Sequence, residues 1–82
     1  MQEYYWDTFE KYCDLLTIKH QFEIVEKLRN AQKYVNGLTD GWHEYLMSIK
    51  KVKKDFKTQL DKDDEKQLDY LIESIDKMLK TR

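Results

Sequence analysis

The chain has 82 residues, of which 40% are apolar and 38% are charged, and its formal net charge is −1. This length fits one domain with a thin core, because small domains bury only about 60% of the surface of the unfolded chain. No segment has the strong charge imbalance of a nucleic-acid or membrane-surface protein, and no apolar run approaches the roughly 18 residues of a membrane-spanning helix.

The composition predicts an all-α protein. The sequence contains no proline, and its two glycines are Gly37 and Gly41. Because proline and glycine interrupt secondary structure most strongly, nearly everything outside residues 37–41 is expected to be helical. We therefore expect a small antiparallel helical bundle, formed by residues 1–82 as a single helical domain.

Residues 3–36 carry two apolar stripes with helical spacing. The first stripe runs through Tyr5, Phe9, Tyr12 and Leu16, and the second runs through Ile18, Phe22, Val25 and Leu28. At about 100° per residue, the apolar face shifts by more than a quarter turn close to Thr17. The segment is therefore predicted to be one long helix kinked near Thr17, or two helices with a break at 17–19. The first alternative gives three helices and the second gives four.

Two more helices are predicted after the turn sequence NGLTDG at 36–41, where Gly37 suits the left-handed conformation that ends many helices. Apolar residues at three- and four-residue steps predict a helix over about 40–59. Asp61 is a good N-cap with acidic residues in the turn after it, which predicts a last helix over 62–80. One continuous helix from 40 to 80 is the competing prediction, because no glycine or proline enforces a turn there.

The N-terminus is unusually aromatic. Five of the eleven aromatic residues fall within the first thirteen positions: Tyr4, Tyr5, Trp6, Phe9 and Tyr12. These side chains either fold back and complete the core, or pack against another chain, since tyrosine and tryptophan are enriched at protein interfaces. Arg29 continues the second apolar stripe, where its stem covers apolar surface or its guanidinium pairs with a carboxylate of a partner. We take these six residues as the candidate partner-binding residues.

The sequence gives no sign of catalysis or of metal binding. Cys13, His20 and His43 lack the paired spacing of zinc ligands, and no nucleophile has a base and an orienting group near it in the sequence. The basic cluster Lys50, Lys51, Lys53, Lys54 and Lys57 resembles a solvated helix face, and it contains no arginine for bidentate contacts to bases. We therefore predict no enzyme, no cofactor, no metal site and no small-molecule substrate.

The function that remains is protein binding. We expect a non-enzymatic module that acts as an adaptor, regulator or inhibitor of a larger protein, of the kind that phages and other mobile elements encode. Thirteen lysines against two arginines fit an AT-rich bacterial or phage genome. The alternative is a self-assembling structural protein, a homodimer or higher oligomer, and a weaker third hypothesis is nucleic-acid binding through the lysines. A lone cysteine and the missing membrane segment predict a cytoplasmic location.

Overall fold

Four helices make up the part of the chain that the computed structural model describes, residues 2–35, 37 and 39–81. They are α1 (Gln2–Ile18), α2 (Phe22–Gln32), α3 (Thr39–Asp55) and α4 (Lys62–Lys80). The all-α prediction is confirmed, with four helices in these residues rather than three. The break predicted at 17–19 lies at residues 19–21, α3 ends about a turn earlier than expected, and α4 has the predicted bounds.

A left-handed residue closes α1. The backbone N–H of Gln21 donates to the carbonyl of Leu16 at 2.8 Å, and the N–H of His20 donates to the carbonyl of Thr17 at 3.0 Å. His20 has a φ of 64°, so these bonds form the Schellman arrangement that usually has glycine at the left-handed position. The chain therefore leaves helical geometry at His20 without a glycine to signal it.

We expect His20→Gly to raise the free energy of unfolding by about 1 kcal/mol. A side chain in the left-handed region crowds its own backbone, whereas glycine adopts that conformation at little steric cost. Urea unfolding followed by circular dichroism measures the change, and His20→Val is the matched control, expected to destabilise because it is β-branched. A stabilising His20→Val would contradict the assigned backbone conformation.

The reversal between α3 and α4 excludes the continuous helix over 40–80. Residues 56–60 form turns, and Asp61 then caps α4 by accepting a hydrogen bond from the backbone N–H of Asp64 at 2.8 Å. Asp63, Asp64 and Glu65 occupy the first turn, where the helix dipole favours negative charge. The acidic sequence at 61–65 therefore begins a helix. Gly37 has the predicted left-handed conformation, with a φ of 91°.

The helices form an antiparallel ring in the order α1, α2, α3, α4, with α4 closing against α1. The hydroxyl of Tyr12 reaches the start of α4 and the hydroxyl of Tyr5 reaches its middle, so α1 and α4 run in opposite directions. The core lies inside this ring. Its buried apolar side chains are Tyr5, Phe9, Tyr12, Cys13, Leu16, Ile24, Leu28, Ala31, Trp42, Tyr45, Leu46, Ile49, Val52, Phe56, Leu60, Leu68, Leu71, Ile75 and Met78.

The second apolar stripe of the sequence does not bury as a unit. Leu28 lies in the core, but Ile18 and Phe22 are exposed, and the buried residue at the start of α2 is Ile24. The turn at His20 separates Ile18 from α2, and within α2 Phe22 lies about 120° around the helix axis from the buried Leu28. Phe22 therefore faces away from the core side of α2, which Ile24, Leu28 and Ala31 form.

Candidate partner-binding surface

Three of the six candidate residues lie in the chain's own core. Tyr5, Phe9 and Tyr12 are each at most 2% exposed. The rings of Phe9 and Tyr5 both lie 6.2 Å from the ring of Tyr45, on the diagonally opposite helix α3. Aromatic side chains are large enough to meet across the axis of the bundle, where smaller ones would leave a void. This packing explains an aromatic N-terminus without a partner.

The buried tyrosines satisfy their hydroxyl groups inside the core. The Tyr5 hydroxyl donates to the carbonyl of Leu71 at 3.2 Å, so its oxygen accepts from the Tyr45 hydroxyl at 2.7 Å. The Tyr12 hydroxyl donates to the carbonyl of Asp64 at 3.0 Å. Burial raises the pKa of all three phenols above the ordinary value of 10.0, which keeps them neutral. These groups fix the position of α1 against α3 and α4.

We expect Tyr5→Phe to destabilise the protein by about 1–3 kcal/mol, more than Tyr45→Phe. Without the Tyr5 hydroxyl, the buried Tyr45 hydroxyl loses its partner, whereas Tyr45→Phe leaves the bond from Tyr5 to Leu71 in place. The double variant should be less destabilised than the sum of the two single variants, which urea unfolding can measure. Additive effects would contradict the bond between the two hydroxyls.

Tyr4 and Trp6 lie at the edge of the aromatic core. Trp6 is partly buried and stacks on Trp42 with the ring centres 5.8 Å apart. Tyr4 is 70% exposed, so of the five N-terminal aromatics it has the most surface free for a partner. Partner binding by the aromatic residues stays a prediction, and Tyr4 is the most accessible of them.

Arg29 pairs within its own chain. Its guanidinium makes a bidentate ion pair with Glu10 on α1, with Nη2 and Oε1 2.9 Å apart, and it lies 5.7 Å from the centre of the Phe9 ring. The hydrogen bond from Arg29 lowers the pKa of the Glu10 carboxyl. Of the two alternatives for Arg29, covering apolar surface or pairing with a partner's carboxylate, the structure has the guanidinium beside the Phe9 ring and paired with Glu10 of its own chain, which links α1 to α2.

The histidines and the cysteine do not gather into a reactive site. Among the described residues no group of three or more histidine, cysteine, aspartate or glutamate side chains is placed to hold a metal ion. Cys13 is buried, and burial raises the pKa of its thiol to about 11, with Arg29 opposing and Glu10 and Asp14 adding to the rise. A buried thiol with this pKa is a poor nucleophile.

We expect Cys13 to react with iodoacetamide only when the protein unfolds. The thiol is 1% exposed, and the reactive thiolate is scarce near neutral pH because the pKa is raised. The native alkylation rate should therefore be at least about a hundredfold below that of the chain in urea, measured by mass spectrometry. Comparable rates with and without urea would show that the packing of α1 against the other helices does not cover the thiol.

One buried charge was missed by the sequence analysis. Asp64 is 2% exposed, and its carboxylate accepts a hydrogen bond from the ammonium of Lys19 at 2.9 Å. The same ammonium lies 2.9 Å from Asp61, and hydrogen bonds to Asp64 and then to Asp61 raise the pKa of Lys19. The pair ties the end of α1 to the beginning of α4. No periodic pattern marks it, because it joins residues 45 positions apart.

A different apolar stripe, on the outer side of α1, faces solvent beside α4. Tyr4, Leu15 and Ile18 share a helical face with Thr8 and Lys11, and the three apolar side chains are 70%, 38% and 75% exposed. Two shallow clefts run along this face, one lined by Thr8 and Leu15 with Gln67, the other by Thr8 and Gln67 with Tyr70. We call Tyr4, Leu15, Ile18 and Tyr70 the α1–α4 surface. Its spacing on α1 is visible in the sequence, but only the packing reveals that it stays uncovered.

Comparison adds no relative from which a role could be carried over. No described helix combines the length and the apolar composition needed to cross a membrane. Comparisons of the sequence with protein-family models, with curated proteins and with solved structures each find no match.

Proposed function

We propose that this chain is a non-enzymatic protein-binding module that acts in the cytoplasm as an adaptor, regulator or inhibitor of a larger protein. The observation that supports the proposal is the α1–α4 surface, where large apolar side chains stay in solvent beside shallow clefts. Tyr4 is the one residue of the original candidate set that belongs to this surface. A phage or mobile-element origin remains part of the proposal.

Physical reasons favour a protein partner at this surface. The α1 stripe extends about 21 Å from Tyr4 to Ile18, which matches the length of a short helix of a partner. Burying exposed apolar side chains stabilises a complex by about 25 cal/mol per Å², and tyrosine is frequent among the residues that dominate binding energy. Lys11 and Lys66 flank the clefts and provide a polar rim.

The test begins with a photo-crosslinking amino acid in place of Tyr4 in the full chain, expressed in its native host. The captured protein is purified and titrated with the chain by calorimetry. We expect Ile18→Asp to weaken binding by at least about tenfold, because it places a charge in the apolar contact. Met47→Asp is the matched control, since Met47 is 66% exposed on α3, and it should change the affinity by less than about twofold. Equal affinity of the Ile18→Asp variant would overturn the proposal.

Self-association is the second candidate function, because a second copy could cover the same α1–α4 surface. Light scattering across a wide concentration range distinguishes self-association from binding to a different protein. A dimer or larger assembly that Ile18→Asp converts to monomer would support the structural role, and the melting temperature of the parent chain would then rise with concentration. A monomer at every concentration excludes it.

A further inference from the structure

A cleft of about 230 Å³ lies between α2 and α3, on the edge of the ring opposite the α1–α4 surface. Ala31, Val52 and Phe56 form its apolar base, and these side chains also belong to the core. Lys27 of α2 and Lys51 of α3 line it, and Tyr34 borders it with half of its surface exposed. We call this the α2–α3 cleft.

Lysines outnumber carboxylates in the lining of this edge. Lys19, Arg29, Lys53 and Lys80 each form an ion pair. Within the described part of the chain no ion pair involves the lysines that line the α2–α3 cleft and the adjoining depression around Met47, which are Lys27, Lys50, Lys51 and Lys54. The edge therefore combines an apolar base with a net positive charge, since four lysines stand against the single carboxylate of Asp55 in its lining.

We propose that the α2–α3 cleft binds an acidic, amphipathic segment of a partner protein. Apolar side chains of that segment pack against the half-exposed Tyr34 and over the small exposed parts of Val52 and Phe56, and its carboxylates pair with Lys27 and Lys51. Charge complementarity selects this occupant, because a basic rim around an apolar base matches a segment of alternating acidic and apolar residues. The site is distinct from the α1–α4 surface, so the inference goes beyond the proposed function.

Two features favour a polypeptide over a nucleic acid. Asp55 lines both the cleft and the depression beside it, and its carboxylate repels a continuous phosphate backbone, whereas a polypeptide can offer it a backbone N–H. The cations are lysines, which attract anions as point charges, and the apolar base contributes nothing to phosphate contact. A partner segment contacts both the apolar base and the lysines of the cleft.

The experiment uses the full chain and a labelled synthetic peptide with leucines at three- and four-residue steps and glutamates at positions between them. Fluorescence anisotropy measures its affinity at low and at physiological salt. We expect binding that weakens with salt, is lost when glutamine replaces the glutamates, and falls at least about fivefold when serine replaces the leucines. A peptide that binds equally well without its leucines would overturn the apolar half of the proposal.

Matched variants assign the binding to the cleft. Lys27→Glu combined with Lys51→Glu should weaken binding of the peptide at least about tenfold. Lys62→Glu with Lys77→Glu makes the same change of net charge at exposed positions of α4 that line neither surface, and it should weaken binding less than about threefold. Tyr34→Ala, which changes no charge, should weaken it about threefold to tenfold. Circular dichroism confirms that each variant folds.

Three outcomes would overturn the proposal. Equal weakening by the two charge-reversed pairs would mean non-specific attraction. A single-stranded or duplex oligonucleotide that binds more tightly than the peptide at the same salt, and is lost in the Lys27→Glu, Lys51→Glu variant, would assign the surface to nucleic acid. Self-association abolished by that same variant would make a second copy the occupant.

Discussion

Replacing Phe9 with alanine is expected to lower the free energy of unfolding by about 3–5 kcal/mol. Phe9 is fully buried between Trp6 and Tyr45, and removing its ring opens a cavity in addition to losing the transfer free energy of the ring. A domain of this size has a total stability of about 4–12 kcal/mol, so much of it depends on this one side chain. Urea unfolding followed by circular dichroism gives the value.

The matched control lies on the same helix. Tyr4→Ala also removes a large aromatic side chain from α1, but Tyr4 is mostly exposed, so the change should stay within about 0.5 kcal/mol. Similar losses for Tyr4→Ala and Phe9→Ala would mean that the N-terminal aromatics are not divided into core and surface. A large difference assigns Phe9 to stability and leaves Tyr4 available for a partner.

The spacing of Tyr5, Phe9, Tyr12 and Leu16 was sufficient to predict one buried helical face. Periodicity identifies which residues of a helix lie together, because a repeat near 3.6 places them on one side. It does not identify what covers that side, since a core and an interface use the same residue types. Only the position of Tyr45 on the facing helix separates the two, and that depends on how the helices pack.

The prediction of one continuous apolar face through Ile18 and Phe22 was wrong for a local reason. Helical phase carries forward only while the backbone stays helical, and the left-handed His20 interrupts it. Glycine usually marks such a position in a sequence, but here a histidine occupies it. The apolar pattern therefore showed that the helical phase shifts near Thr17, but it did not show which residue interrupts the helix. Ile18 lies before this break, so it shares the exposed face of α1 with Tyr4 and Leu15 and belongs to the α1–α4 surface.

Alkaline pH is expected to unfold the protein between about pH 9 and pH 11. Burial raises the pKa of Cys13 and of the three buried tyrosines in the folded state, so above the unfolded pKa values the unfolded chain holds fewer protons than the native one. Stability is therefore fully present below about pH 9 and falls as the pH rises. Lys19, whose pKa is also raised in the folded state, acts in the same direction.

The size of this effect is comparable to the whole stability of the domain. For each phenol that stays protonated in the native state, the free energy of unfolding falls by about 1.4 kcal/mol per pH unit above the ordinary pKa of the phenol. Three such phenols lower it by about 4 kcal/mol at pH 11. The thiol adds about 2 kcal/mol over the range from its ordinary pKa to about 11. Urea unfolding at successive pH values measures the decline directly.

Tyr12→Phe separates this titration from general charge repulsion. Among the described residues the Tyr12 hydroxyl bonds only to the carbonyl of Asp64, so phenylalanine leaves no buried hydroxyl without a partner there and removes one titrating group. Between pH 10 and pH 11 the free energy of unfolding of the variant should fall by about 1 kcal/mol less than that of the parent chain, although the variant starts from a lower stability at neutral pH. Parallel curves for the two proteins would mean that the Tyr12 phenol titrates alike in the folded and unfolded states, and α1 would then not be held in the core by its tyrosines.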